Sequence, residues 1–111
     1  MVKQEIAWQL IKINASKARK TGMIWHSLVD AKEYQVLEIS KHKIIIKRED
    51  QHKTQDLTEN TVIKAIKKFN AQNCKVKRGS LISPTVAEET AFVLFHPNLT
   101  WDAVGEYIVE I

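Results

Sequence analysis

Lys64, Lys67 and Lys68 stand three and four residues apart, a spacing that stacks their ammonium groups on one face of a helix. Grouped ammonium groups hold phosphates as point charges, and Arg48 and Arg78 add the option of bidentate contact. In the stretch from Lys43, two-residue alternation puts Lys43, Ile45 and Lys47 on one side of a strand and Ile44, Ile46 and Arg48 on the other. Lys41 and His42 precede this strand, and His52 and Lys53 follow it. Lys75 and Lys77 share a side of a later extended segment, with Arg78 next. The expected phosphate-binding set is therefore Lys41, Lys43, Lys47, Arg48, Lys53, Lys64, Lys67, Lys68, Lys75, Lys77 and Arg78. Trp25 and Tyr34 are the rings closest to it in sequence and are expected to stack on unpaired bases. Trp8 and Trp101 are assigned to packing.

A lysine taken singly is an ordinary solvated residue. What makes these a set is their distribution. All 17 Lys and Arg residues lie at or before Arg78. Eight acidic residues share that stretch, and five acidic residues with no basic ones follow it, so the two parts carry +9 and −5. A positive field confined to part of the chain steers a polyanion. The expected function is nucleic-acid binding through backbone phosphates, with double-stranded DNA favoured over RNA, as a module of a larger nucleic-acid-processing protein. Glu88, Glu89, Asp102, Glu106 and Glu110 have two readings: they repel the polyanion from one side, or they dock against the basic half.

Other chemistries find less support. A metal-dependent nuclease needs clustered carboxylates with a lysine nearby. Asp30 and Glu38 lie on adjacent segments, but Ser40 stands two residues after Glu38, and Lys47 and Glu49 come in the reverse order. His26, His42, His52 and His96 lack zinc-ligand spacing, and Cys74 is alone. Neither a Gly-rich phosphate loop nor a serine-hydrolase elbow occurs. No metal, cofactor or catalytic residue is assigned. The turn Arg78-Gly79-Ser80 offers backbone N–H groups to a phosphate near a helix start. A helix-turn-helix is disfavoured by the long connection from Asn70 to Ser83 and by Glu88 and Glu89 on the helix that would enter the groove.

The 111 residues suit one α+β domain, 1–111. One cysteine excludes an internal disulfide. No apolar run reaches the ~20 residues of a membrane span, and the first residues form no signal-peptide core. The expected setting is the cytoplasm, with no membrane partner. Tyr107 to Ile111 reads as a strand with no polar tail. Two explanations compete: the strand is tied into a sheet, or the chain is cut from a longer protein. A rival function follows, in which this strand pairs with a partner's sheet edge or with a second copy.

The elements that must position these residues are about three helices and a small, mainly antiparallel sheet. The first helix runs from Val2 to about Lys20, on a stripe of Val2, Ile6, Leu10 and Ile13 widened by Ala7, Ile11 and Ala18, and stops at Gly22. Met23 to Val29 contains a short strand in one reading. Tyr34 to Ser40 and Lys43 to Glu49 are strands, joined by a connection slightly longer than the two residues Lys41-His42. Asp50 to Asp56 reads as a loop. Thr58 caps a second helix reaching Asn70, with Val62, Ala65, Ile66 and Phe69 buried. Lys75 to Arg78 is a short strand or extended loop. Ser83-Pro84, or Thr85 with Glu88, starts a third helix carrying Val86, Ala87, Thr90, Ala91 and Leu94, although Ala91 to Phe95 also fits a buried strand. Leu99 to Val104 is expected to form one helical turn before the last strand.

Overall fold

A computed structural model describes residues 1–27, 32–50, 53–82 and 86–111, Val86 by its backbone only. Helix α1 spans Gln4–Thr21, followed by strands β1 (Ile24–His26), β2 (Glu33–Ile39), β3 (Lys43–Arg48) and β4 (Thr54–Thr58). Helix α2 spans Glu59–Ala71, β5 Lys75–Lys77, α3 Val86–Phe95, β6 Leu99–Trp101 and β7 Tyr107–Glu110. The fold is α+β, with three helices and two antiparallel sheets rather than one. Sheet A is the meander β1-β2-β3-β4, and sheet B has the order β5-β7-β6.

Local chemistry explains most boundaries. Gly22 closes α1 at φ 67°, a left-handed conformation that glycine adopts without steric cost. The Thr58 hydroxyl accepts from the Thr61 N–H at 3.2 Å and caps α2. The β2–β3 ladder ends at Ile39 opposite Ile44, and residues 40–42 connect the two strands. Among the described non-glycine residues only Asn73 and Cys74 have positive φ, so the tight two-residue turn that needs it is not formed here.

Three expectations are corrected. The segment read as a loop to Asp56 contains β4, in which Leu57 alone is buried and the remaining side chains are polar. Its strand character comes from pairing with β3, from Lys43 opposite Thr58 to Lys47 opposite Thr54. The helical turn expected at Leu99 to Val104 is instead β6 followed by a turn. Leu99 and Trp101 face inward by two-residue alternation, opposite Glu110 and Ile108 of β7. In α1 the buried face is Ala7, Trp8, Ile11, Ala15 and Ala18. Ile6 and Ile13 are 46% and 52% exposed, because α1 packs on β2, α2 and α3 through the neighbouring face.

Helix α3 is central. Ala87, Glu89, Thr90, Ala91, Phe92, Val93 and Phe95 are all buried. Burial on every side removes the helical period from the sequence, which is why Ala91 to Phe95 also fits a buried strand. The starts proposed at Ser83-Pro84 and Thr85 lie outside the described residues. Asn14 of α1 donates through Nδ2 to the Phe95 carbonyl at 2.7 Å, satisfying a group orphaned at the end of α3. Trp8 Nε1 donates to the Lys41 carbonyl at 2.9 Å and ties α1 to the β2–β3 connection. Strand β2 carries a bulge at Leu37, between the pairs Val36–Ile46 and Glu38–Ile45. Arg19 Nε donates to the Leu37 carbonyl at 3.0 Å, partnering a group the bulge removes from the ladder.

Candidate nucleic-acid interface

The eleven expected cations fall into two groups with different surroundings. The first lies on sheet A. Lys41 is exposed in the β2–β3 connection, and its carbonyl also accepts from Lys12 Nζ at 3.4 Å. Lys43 pairs with Asp56 at 3.6 Å. Lys47 sits between Gln35 and Thr54 on the outer sheet face. Arg48 clamps the Asp50 carboxylate through Nε and Nη2, and Lys32 approaches the same carboxylate at 3.5 Å. The Arg48 hydrogen bond, with the charges of Arg48 and Lys32 behind it, lowers the Asp50 pKa to about 2. Lys53 is exposed at the start of β4. Nearby, His42 meets Glu59 at 2.8 Å and His26 meets Glu33 at 3.5 Å. Within this group Lys43 and Arg48 meet carboxylates, and Lys41, Lys47 and Lys53 form no ion pair among the described residues.

The second group lies on α2 and β5. Lys64, Lys67 and Lys68 are exposed on α2, opposite its buried stripe of Val62, Ala65, Ile66 and Phe69. The helix rises about 1.5 Å per residue, so Lys64 and Lys68 are roughly 6 Å apart along its axis. Lys68 Nζ donates to the Ser80 carbonyl, which joins the α2 face to the segment after β5. Lys75 and Lys77 are exposed on β5, and Val76 between them is buried. Arg78 is half-buried, and its Nη1 donates to the Gly105 carbonyl at 2.7 Å. Among the described residues, none of these six forms an ion pair with a carboxylate.

Two of the acidic residues after Gly79, Glu89 and Asp102, serve the backbone. Glu89 is 4% exposed. Its Oε1 accepts from the Gly79 N–H at 2.6 Å, and its Oε2 from the Leu81 and Ile82 N–H groups at 3.0 and 3.1 Å. Of the amides that the Arg78-Gly79-Ser80 turn was expected to offer to a phosphate, that of Gly79 is taken by this internal carboxylate, that of Arg78 bonds the Glu106 carbonyl and that of Ser80 bonds the Lys77 carbonyl, so that anion site is corrected. Asp102 Oδ1 accepts from the Glu106 and Tyr107 N–H groups at 2.9 and 3.3 Å. Glu89, Asp102 and Glu106 pair with no Lys or Arg among the described residues.

The expected stacking rings are corrected too. Trp25 and Tyr34 are 5% and 3% exposed. They stack on each other with centroids 6.3 Å apart, and Trp25 meets Phe95 edge-on at 5.2 Å. Neither presents a ring face to solvent. The aromatic ring beside the cations is Tyr107, with Lys75 Nζ 4.7 Å from its centre. Its proximity depends on β7 pairing with β5, a long-range contact with no local signal beyond the alternation of Tyr107 and Val109.

Strand β7 has β5 on one side and β6 on the other. Both of its edges are taken, so the pairing of Tyr107 to Ile111 with a partner's sheet has no open edge to use. Asp30 and His52 lie outside the described residues. Among the described residues no three His, Cys, Asp or Glu side chains are grouped to hold a metal ion, and no helix is long and apolar enough to cross a membrane. Comparison of the chain with protein-family models, with curated proteins and with solved structures found no match.

Proposed function

We propose that this chain is a nucleic-acid-binding domain that holds backbone phosphates through Lys64, Lys67, Lys68, Lys75, Lys77 and Arg78. The observation that carries the reading is the contrast between the two cation groups. On sheet A two of the five expected cations, Lys43 and Arg48, already meet carboxylates. On α2 and β5 six cations follow one another across the Lys68–Ser80 contact with no carboxylate partner among the described residues. Unpaired cations in a row lower their mutual repulsion by binding a polyanion, and counterion release supplies the driving force.

Phosphate contacts fix position without reading bases, so the proposed binding is independent of sequence. DNA is the first ligand to test. The test is fluorescence anisotropy with a labelled oligonucleotide between 50 and 200 mM salt. Six neutralised phosphates predict a loss of about 10³-fold in affinity over that range. An affinity that does not change with salt would sink the proposal.

A further inference from the structure

We propose that the outer face of sheet B is a landing site for unpaired bases, so that the ligand of the basic surface is a single-stranded nucleic-acid segment rather than a duplex. This rests on the phosphate-binding reading above and names the form of its ligand.

The register builds the face. Lys75 lies opposite Val109, which lies opposite Thr100, and Lys77 lies opposite Tyr107. Directly opposed residues of antiparallel strands point to the same side. These five side chains therefore share one surface, while Val76, Ile108 and Leu99 point into the core. Lys75 and Lys77 are exposed, and Thr100, Tyr107 and Val109 are half-buried. The result is a patch with one aromatic ring on its middle strand and cations along its β5 margin. None of the five positions is acidic. Asp102, at the edge of the patch, has Oδ1 engaged by two backbone N–H groups.

Lys75 Nζ over the Tyr107 ring shows that a ring face is open to approach from the solvent side. A base stacked there takes the place of the ammonium, and the long lysine side chain swings to the adjoining phosphate. The occupant must combine flat π-faces with a string of negative charge. A single strand offers both, whereas a duplex keeps its bases stacked inside and presents only phosphates and groove edges. Arg78, which donates to the Gly105 carbonyl, and Lys68, which donates to the Ser80 carbonyl, then continue the path of the backbone onto α2.

The experiment compares a labelled oligothymidylate with a duplex of equal length by anisotropy, using the full chain and its Tyr107→Leu, Tyr107→Phe and Thr100→Glu variants. The intact chain should bind the single strand more tightly than the duplex. Tyr107→Leu should weaken the single strand about tenfold, the scale of one lost base–aromatic stack, and leave the duplex and both salt slopes unchanged. Tyr107→Phe should keep the affinity, because the ring and not the hydroxyl is used. Thr100→Glu, which adds a carboxylate to the patch without touching the ring, should weaken the single strand and carries the test if the Leu variant does not fold. Equal binding of the single strand by the intact chain and the Leu variant, with salt dependence retained, overturns the platform and leaves the phosphate reading standing. Equal losses for single strand and duplex give Tyr107 a purely structural role and also overturn it. If neither ligand binds at 50 mM salt, the phosphate reading itself falls.

Discussion

The Glu89 carboxylate on α3 and the Gly79 backbone nitrogen after β5 lie 2.6 Å apart. With Leu81 and Ile82 also donating to Glu89, one buried side chain organises the connection that carries Arg78 past the end of β5. Glu89→Gln keeps the size but turns one acceptor into a donor facing N–H groups. Hydrogen bonds to charged groups contribute about 1.5–3 kcal/mol each, so the substitution should lower stability by about 2–3 kcal/mol. Urea unfolding should show a reduced midpoint at an unchanged slope. An unaltered midpoint would show that the carboxylate does not hold this segment.

Replacing Lys64, Lys67 and Lys68 together by alanine should lower the slope of log affinity against log salt by roughly 2.7 on a duplex, near 0.9 per lost phosphate contact, and by roughly 2.1 on a single strand, near 0.7 per contact. The matching triple of Lys43, Lys47 and Lys53 on sheet A should change that slope by less than about one unit. Titration of both variants with the same oligonucleotide over 50–200 mM salt separates the groups. Equal losses would mean that the two cation groups serve one ligand together.

Leu57 measures how firmly β4 belongs to the fold. It is fully buried in a strand whose other side chains are polar. Leu57→Ala should cost about 2–5 kcal/mol, the range for a leucine truncated in a core. Chemical denaturation gives the value directly, and a cost under about 0.5 kcal/mol, typical of surface positions, would place this segment outside the packed core.

His96 should make stability depend on pH. Its Nδ1 accepts from the Asn98 N–H at 3.1 Å, and Nε2 has no partner among the described residues. Burial lowers its pKa below the ordinary imidazole value, with Glu110 opposing the shift through its charge. A group whose pKa falls on folding favours the native state when deprotonated. The contribution of His96 is thus complete above about pH 6.5 and is lost as pH drops through the folded-state value. Urea midpoints from pH 8 to 5 should decline, and His96→Gln should flatten that decline. The Arg48–Asp50 clamp acts in a separate window, since its contribution is lost only as pH falls from the usual aspartate value toward about 2.

How much of this could be read beforehand depends on the range of the deciding interaction. Helix α2 was legible to the residue face, because its cap at Thr58 and its stripe from Val62 to Phe69 are local. Helix α1 was legible as a helix but not in its phase. It has more apolar residues than one face can bury, and the docking of α2 and α3 selects Trp8 and Ala15 over Ile6 and Ile13. Strand β4 was invisible because a single inward leucine makes no pattern. The lysines of α2 and β5 were legible as cations at fixed spacing. Which of the eleven meet carboxylates was not, since Lys43–Asp56 depends on strand register and Arg48–Asp50 on the bend of a connection. The rings failed for the same reason: Trp25 and Tyr34 are near the basic strands in sequence but inside the fold.

The order β5-β7-β6 has a consequence for how the protein is made. A ribosome synthesises β5 and β6 before the strand that separates them. At about 5–20 residues per second, Val76 emerges on the order of seconds before Ile108, while helices form within about a microsecond. During that interval α2 can be complete while the apolar sides of β5 and β6 stay wet. This half of the nascent chain is therefore the part that chaperones should engage, and its closure waits on residues 107–110.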